Sequence, residues 1–375
     1  MSVNKNQLTE LGWDSFFKDQ FELLEAPECV PARVVSEQRH SYQVYTQYGE
    51  LSAEISGKVR YQARTDGQYP AVGDWVVVRP NTSEQKGLIY AVLPRRTCFS
   101  RKISDDRARR SGGRTREQVL AANVDTAFLV SGLDGNRKLN LRRLERYLAL
   151  TWESGASPVI VLNKVDLCPN VDARIREVEP IAFSVPVHAV SATERLGLDA
   201  LEIYLTRGKT SVFLGPSGVG KSALINALLG IERQEVGEVR ESDGKGRHTT
   251  SRRELILLPA GGAVIDTPGL REIQMWADEV GLSSVFEDIE QLTYECRFRD
   301  CTHHSEPGCA VKAAIRQGSL DIARLQSYRK LEKELRHLAA RQEGRTRLEE
   351  RAKWKKVSKW SRRNQRYNQI EPHDG

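Results

Sequence analysis

The sequence has few cysteines and no long apolar run, and each absence excludes a class of protein. Only six of the 375 residues are cysteine, too few for a disulfide-stabilised scaffold of this length. No apolar stretch approaches the roughly 18–20 residues that a membrane-spanning helix needs. The first residues also lack a basic segment followed by an apolar one, so no secretory signal is visible. We therefore expect a cytoplasmic protein that does not enter a membrane.

The positive charge of the chain is concentrated in two places. The formal net charge is +7, but residues 321–375 alone contain 16 Lys and Arg against 8 Asp and Glu. A second segment, residues 95–116, contains nine basic residues and two acidic ones. Basic segments gain affinity for nucleic acids by releasing counterions from the phosphate backbone. The charge therefore favours a nucleic-acid partner over the alternative, a solvated and poorly ordered tail.

The length predicts about two or three compact units, and the N-terminal part divides into three segments. Residues 1–29 are predicted to be a helical extension with one short amphipathic helix over residues 8–24, because apolar residues between Leu8 and Leu24 recur every three or four positions. Five short β-rich runs in residues 30–95 predict a small barrel. The oligonucleotide-binding (OB) fold fits, although an SH3-like barrel would show much the same pattern. The basic stretch 96–118 is predicted to be a linker or loop.

Residues 119–275 have the pattern of an α/β domain. Apolar strands alternate mostly with helical segments, which is typical of a parallel sheet covered on both faces. The predicted strands are VDTAFLV, SPVIVLN, VPVHAVS, TSVFLG and the hairpin pair RRELILLP and GAVIDT. Residues 276–344 are predicted to be a helical zinc-binding domain, and residues 345–375 a basic tail.

The strongest motif is GPSGVGKS, which follows an apolar strand and precedes a helical pattern. In such a phosphate-binding loop, consecutive N–H groups face phosphate oxygens. Lys221 is then expected to reach the β- and γ-phosphates, and the hydroxyl of Ser222 to bind Mg²⁺. A plain glycine turn would rarely show this spacing by chance. The predicted nucleotide-binding residues of this loop are Gly215, Pro216, Ser217, Gly218, Val219, Gly220, Lys221, Ser222 and Ala223.

A second motif, NKVD, selects the base of the nucleotide. It consists of Asn163, Lys164, Val165 and Asp166, directly after an apolar strand. The Asp166 carboxylate can accept hydrogen bonds from N1–H and the 2-amino group of guanine, which adenine cannot supply, so GTP is predicted rather than ATP. Ser191 and Ala192 follow another strand, where a backbone N–H can support the guanine O6.

Two further segments complete the phosphate side. In DTPG, Asp266 is predicted to hold Mg²⁺ through water, and the N–H of Gly269 to meet the γ-phosphate. Thr249 or Thr250, with Thr250 slightly preferred, is predicted to bind Mg²⁺ when the γ-phosphate is present.

Hydrolysis without a partner is predicted to be slow. The residue after DTPG is Leu270, so the glutamine that orients water in many small GTPases is absent there. His248 is the best candidate for orienting or activating the attacking water, the alternative being a histidine with only a surface position. Arg247, Arg252 and Arg253 can also stabilise the developing charge.

The segment CRFRDCTHHSEPGC predicts a metal site. Its C-x4-C-x-H-x5-C spacing offers three thiolates and one imidazole, which close a tetrahedral shell around Zn²⁺ and leave no place for a water nucleophile. The predicted ligands are Cys296, Cys301, His303 and Cys309, with His304 as the rival of His303. Unligated cysteines and an iron–sulfur cluster are weaker alternatives.

The order of the motifs indicates a circularly permuted GTPase domain. In Ras-like GTPases the phosphate-binding loop comes first. Here NKVD and the VSA segment (residues 190–192) precede GPSGVGKS and DTPG. Such a permutation costs little when the native termini lie close together at the surface.

This arrangement resembles the family of ribosome small-subunit-dependent GTPase A (RsgA), also called YjeQ or YloQ. The resemblance covers nearly the whole chain: the barrel, the permuted motifs including GRHTT, and the Cys/His cluster. It implies a monomeric cytoplasmic GTPase that binds the small (30S) ribosomal subunit and its rRNA late in maturation, is stimulated by that subunit and leaves after turnover. It also implies that His248 is catalytic.

Two alternative functions stay open at this point. One is a GTPase that acts on the large ribosomal subunit or another RNA. The other is an RNA-binding assembly switch with negligible turnover. This alternative is compatible with leucine, rather than glutamine, at position 270.

Overall fold

The structure, a computed structural model, describes most of the chain up to residue 333. The described residues are 6–38, 41–66, 69–103, 116–134, 139–182, 184–230, 253–259, 261–266, 285–304, 306–322, 324–330 and 332–333. Among these residues, no helix combines the length and the apolar character that crossing a membrane requires.

The N-terminal extension contains two short helices. The prediction of one helix through this region is wrong, because the chain breaks between α1 (Asn6–Glu10) and α2 (Ser15–Glu22). Gly12 has a left-handed φ of 90°, and Asp14 caps α2 by accepting a hydrogen bond from the N–H of Phe16. The apolar periodicity continues across this turn, so the sequence pattern hides the break.

The barrel prediction is confirmed. Its elements are β1 (Val30–Glu37), β2 (Tyr42–Thr46), β3 (Gly49–Ile55), α3 (Gly57–Asp66), β4 (Trp75–Asn81) and β5 (Lys86–Val92). The strands pair in the order β1-β2-β3-β5-β4, and β1 also pairs with β4, which closes an OB-type barrel. Helix α3 was missed by sequence analysis, because among its residues Val59 and Ala63 alone are buried apolar positions of a mostly polar segment.

The basic segment after the barrel is not a loop at its ends. Strands β6 (Cys98–Ile103) and β7 (Arg116–Ala122) pair as an antiparallel ribbon, so the linker prediction for residues 96–118 is wrong there. Buried Phe99 and Leu120 anchor the ribbon in the main hydrophobic core. Frequent basic residues obscure this short apolar alternation in the sequence.

All six strands predicted for the α/β domain are present. The elements are β8 (Thr126–Gly132), α4 (Leu141–Ser154), β9 (Ser157–Asn163), α5 (Val171–Ala182), β10 (Val187–Val190), α6 (Asp199–Glu202), β11 (Thr210–Leu214), α7 (Lys221–Leu229), β12 (Glu254–Leu257) and β13 (Ala263–Asp266). Their order is β10-β9-β8-β11-β13-β12, parallel except for the final hairpin strand β12. The loops after β9, β10 and β11 and the last residue of β13 therefore meet at one edge of the sheet.

A buried cation joins the barrel to this sheet. Strand β1 pairs with β12 at Ser36 and Glu254, which makes one continuous sheet. Arg33, on β1, donates hydrogen bonds to the carbonyl oxygens of Leu11 and Asn123 and to Oγ1 of Thr210. Burial lowers the pKa of the Arg33 guanidinium to about 10, which still leaves it charged at neutral pH. These contacts tie the extension, the barrel and β11 together.

The described residues from 285 to 333 are called the C-terminal module below. It contains α8 (Glu287–Tyr294), α9 (Ala310–Gln317) and a helical stretch at residues 324–330. Phe286, Leu325 and Tyr328 share a hydrophobic cluster with residues of α4 and the central sheet. The module is therefore packed against the α/β domain.

Candidate functional site

The phosphate-binding loop has the predicted strand–loop–helix context. It runs from the end of β11 to Lys221, the first residue of α7. Two of its glycines are required by the backbone. At Gly215 a Cβ would lie 2.5 Å from the carbonyl oxygen of Val130, and at Gly220, where φ is 94°, it would lie 2.3 Å from Nδ2 of Asn163. Only glycine allows this close approach of the neighbouring strands to the loop.

Lys221 closes the loop on itself. Its ammonium donates hydrogen bonds to the carbonyl oxygens of Gly215 (2.8 Å) and Pro216 (2.7 Å). Ser222 and Ala223 follow in the first turn of α7, where unpaired N–H groups and the helix dipole attract anions. The geometry concentrates positive potential where the sequence places the phosphates.

Asn163 brings three loops together. It is 1% exposed, its side-chain amide donates to the carbonyl oxygen of Val219 (2.9 Å), and its Oδ1 accepts from the N–H of Ala192 (3.1 Å). The guanine motif, the phosphate-binding loop and the VSA segment therefore converge. Sequence analysis assigned Asn163 to the site but missed that it is the residue that joins these loops.

The guanine motif turns sharply at Lys164. This residue has a left-handed φ of 69° and leads into a short 3-10 helix (Val165–Leu167). Its ammonium pairs with Oδ2 of Asp134 at 2.9 Å. Asp166 lies in the 3-10 helix and is exposed, which leaves its carboxylate accessible to a base. Ser191 is buried, and its hydroxyl accepts from the N–H of Glu194 (3.1 Å), which shapes the VSA turn. Asp134 has no motif signature, and sequence analysis missed it.

Asp266 is placed on the phosphate side. It ends β13, which runs parallel to β11, so it reaches the same sheet edge as the phosphate-binding loop. The predicted residues His248, Thr249, Thr250 and Gly269 lie outside the described part of the chain, as does the tail 345–375.

The Cys/His cluster is assembled. The ligand atoms of Cys296, Cys301, His303 and Cys309 all lie within 4.8 Å of one another. Nδ1 of His303 is 3.7 Å from Sγ of Cys296 and 3.5 Å from Sγ of Cys309, and these two sulfurs are 4.0 Å apart. Tetrahedral zinc with metal–ligand distances of about 2.0–2.3 Å requires separations of roughly 3.5–3.8 Å. The donor set is that of a zinc site, and the two distances to His303, 3.7 and 3.5 Å, match this requirement, so the cluster is consistent with Zn²⁺.

His303, not its rival His304, belongs to this cluster. The His303 ring is buried against the thiols, whereas His304 is exposed. Burial and the nearby Arg329 lower the pKa of His303, which favours the neutral imidazole that binds a metal. The sequence alone could not separate two adjacent histidines, because both fit the spacing.

We predict that the protein contains about one zinc ion per chain and that Cys309→Ser removes it. The three remaining ligands leave the coordination shell open, so affinity falls steeply. Elemental analysis of the purified chain measures the metal, and thermal unfolding measures its effect on the fold. The matched control is Cys168→Ser, since Cys168 is a partly exposed thiol outside the cluster. Equal zinc content in the two variants contradicts the assignment.

Comparison with known proteins gives consistent matches. The RsgA GTPase model matches residues 92–276. A model of the ABC transporter matches residues 198–359, a span that contains the phosphate-binding loop common to both types of protein. A curated relative from Opitutus terrae, named small ribosomal subunit biogenesis GTPase RsgA, is 45% identical over 368 residues, covering 96% of this chain and 98% of the relative. A protein of the same name from Streptomyces coelicolor is 44% identical over 94% of this chain and 93% of its own length.

Solved structures agree with the fold. YjeQ from Thermotoga maritima superposes with a TM-score of 0.60 at 27% identity, covering 83% of this chain and 99% of that chain. YloQ, described as a circularly permuted GTPase, gives a TM-score of 0.57 at 23% identity over 84% of this chain and 97% of its own. Three findings lead to one conclusion: the permuted motif order, the closed barrel, and 45% identity to a curated relative over 96% of this chain. The chain belongs to the RsgA family of circularly permuted GTPases and is a GTP hydrolase.

Proposed function

We propose that this protein binds the small ribosomal subunit and its rRNA, assists late maturation of the subunit, and couples subunit-stimulated GTP hydrolysis to its own release. The observation that carries the enzymatic part is the position of Asn163, whose amide hydrogen-bonds to both the phosphate-binding loop and the VSA loop. One nucleotide can then contact the base-reading and phosphate-reading loops together. The names of the curated relatives support the small subunit as the partner.

The proposed nucleotide contacts follow from the chemistry of each side chain. Asp166 reads guanine, with a backbone N–H of the Ser191–Ala192 turn on O6, and residues 215–223 hold the phosphates. Lys221 leaves its loop carbonyls to contact the β- and γ-phosphates. When bound, Mg²⁺ neutralises phosphate charge; Ser222, Thr250 or Thr249, and Asp266 through water would hold it. The N–H of Gly269 meets the γ-phosphate.

The proposed reaction is attack of water on the γ-phosphorus. His248 orients or deprotonates this water, the bond between the γ-phosphorus and its bridging oxygen breaks, and GDP and inorganic phosphate result. The Cys/His cluster takes no part in this step, because four protein ligands leave a zinc ion no open position. We propose a structural zinc ion held by Cys296, Cys301, His303 and Cys309.

The proposed RNA contacts lie outside the nucleotide site. An OB-type barrel is a common oligonucleotide-binding fold, and the basic segments at 95–116 and 345–375 supply phosphate contacts. We propose the segment boundaries 1–29, 30–95, 96–118, 119–275, 276–344 and 345–375. The third segment contains β6 and the first residues of β7. We also propose a monomer that acts in the cytoplasm.

Single-turnover GTP hydrolysis with purified ribosomal subunits tests this function. We expect small subunits to raise the rate at least about tenfold, because a partner can complete a site that lacks its own glutamine, and large subunits to have little effect. Stimulation by large subunits alone would favour the first alternative. A rate that neither subunit changes would favour an assembly switch with negligible turnover.

A further inference from the structure

Arg324 lies between the C-terminal module and the GTPase domain. Its side chain is 7% exposed and forms a two-pronged ion pair with Asp288, with Nε–Oδ2 at 2.6 Å and Nη2–Oδ1 at 2.9 Å. Nη2 also donates to the carbonyl oxygen of Val285 at 2.7 Å. The guanidinium carbon lies 4.8 Å from the centre of the Phe286 ring. All of these contacts stay within the C-terminal module.

Arg324 and its helical stretch also make polar contacts with Glu145 of α4, outside the module. Nη1 of Arg324 is 3.6 Å from Oε1 of Glu145, a distance typical of an ion pair but slightly longer than a hydrogen bond. The hydroxyl of Ser327, one turn further along the same helical stretch, donates to the Glu145 carboxylate. Glu145 is itself 4% exposed, and burial raises its pKa. A buried carboxylate is costly unless a cation and a donor satisfy it, so this contact fixes where the helix meets α4.

Both ends of this contact lead to functional segments. Helix α4 runs into β9, whose last residue is Asn163 of the guanine motif. In the other direction, Arg329 donates to the backbone oxygen of His303, a member of the Cys/His cluster. Tyr328 donates to Glu290 on α8 at 3.0 Å. One short helical stretch therefore connects the Cys/His cluster to α4, the helix that leads into the strand of the guanine motif.

We propose that the contact of Arg324 and Ser327 with Glu145 is the positioning element through which the C-terminal module transmits binding of the small subunit to the GTPase domain. This inference rests on the proposed function. Within the described part of the chain, the contacts found for these three residues do not include residues 163–166, 191–192 or 215–223, so we infer that they act through α4. The contact is suited to this task because it is buried and lies where the C-terminal module packs against α4.

The test is Glu145→Gln in the full-length protein. Glutamine has nearly the same shape and still accepts from Ser327, but it removes the charge opposite Arg324 and leaves the pair of Arg324 with Asp288 intact. We expect unchanged GTP affinity, basal hydrolysis and zinc content, and a loss of at least about tenfold in the stimulation by small subunits, within the range of known coupling between sites. Subunit binding is measured separately by cosedimentation.

One control variant and two further variants of the same contact accompany Glu145→Gln. Glu177→Gln removes an exposed ion pair with Arg174 in the same domain and should retain full stimulation. Arg324→Lys keeps the charge but loses the two-pronged geometry, and we expect the double variant Glu145→Gln/Arg324→Lys to lose no more stimulation than the more affected single variant. Ser327→Ala, which leaves the buried charges in place, should give a smaller loss in the same direction.

Full stimulation of Glu145→Gln, or independent additive losses in the double variant, overturns the inference. If Glu145→Gln does not fold, normal stimulation of Ser327→Ala overturns it instead. These outcomes are distinct from failure of the proposed function, in which small subunits do not stimulate the wild-type protein at all.

Discussion

Replacing Lys221 by alanine should weaken GTP binding at least about 100-fold and abolish hydrolysis. Hydrogen bonds to charged groups contribute roughly 1.5–3 kcal/mol each, and a loss of about 2.8 kcal/mol corresponds to a factor of about 100 in affinity. In the structure the ammonium donates hydrogen bonds to the carbonyl oxygens of Gly215 and Pro216, in the loop that is predicted to hold the phosphates. Fluorescent-nucleotide titration measures affinity, and single-turnover phosphate release measures hydrolysis.

The control for Lys221→Ala is His248→Ala. If His248 handles the attacking water, this variant should bind GTP normally and lose turnover, so the two variants separate binding from chemistry. The fold should persist in Lys221→Ala, because the lost hydrogen bonds lie in a partly exposed loop rather than in the core. GTP affinity of Lys221→Ala close to that of the wild type would show that the phosphates bind elsewhere.

Asp166→Asn should change the base preference from guanine to xanthine. The wild-type carboxylate accepts from N1–H and the 2-amino group of guanine. Asparagine turns one oxygen into an N–H donor, which opposes that amino group but pairs with the 2-carbonyl oxygen of xanthine. We expect GTP affinity to fall on the order of 100-fold, because a polar pairing with the bound base is broken, and XTP hydrolysis to appear.

Competition among GTP, XTP and ATP measures this change. The matched control is Asp172→Asn, another exposed aspartate in the same domain, which should keep the preference for GTP. Because Asp166 is exposed, its substitution should leave thermal stability nearly unchanged. Equal competition by ATP in the wild type, or an Asp166→Asn variant that still prefers GTP, would disprove the assignment of the base-reading residue.

The strands and the chemical motifs were predictable because their signals are local. A parallel strand covered on both faces must be a short apolar run, and all six predicted runs of the α/β domain form strands. A phosphate-binding loop needs glycines, a lysine and a hydroxyl in one continuous stretch, so GPSGVGKS can be read without knowing where the chain goes next. The same holds for the spacing of Cys296, Cys301 and Cys309.

The local signal failed where a tertiary contact competed with it. Apolar spacing predicted one N-terminal helix, but the left-handed turn at Gly12 divides it. Burial of Phe99 and Leu120 in the main core stabilises a β-ribbon in a segment whose basic composition suggested a loop. Helix α3 lacks a strong apolar face and forms where the barrel connects β3 to β4. For the ribbon, the core residues that decide the structure are distant in sequence.

The sequence by itself determined that this protein is a GTP hydrolase and predicted its binding groups, because the groups typical of phosphate, guanine and zinc sites occur in short continuous motifs. Only the tertiary structure decided how those motifs are joined: Asn163 to Val219 across 56 positions, His303 rather than His304 in the Cys/His cluster, and Arg324 against Glu145 where the C-terminal module meets α4. Such pairings depend on the path of the whole chain and on the cost of burying unpaired polar groups. No local pattern encodes either quantity.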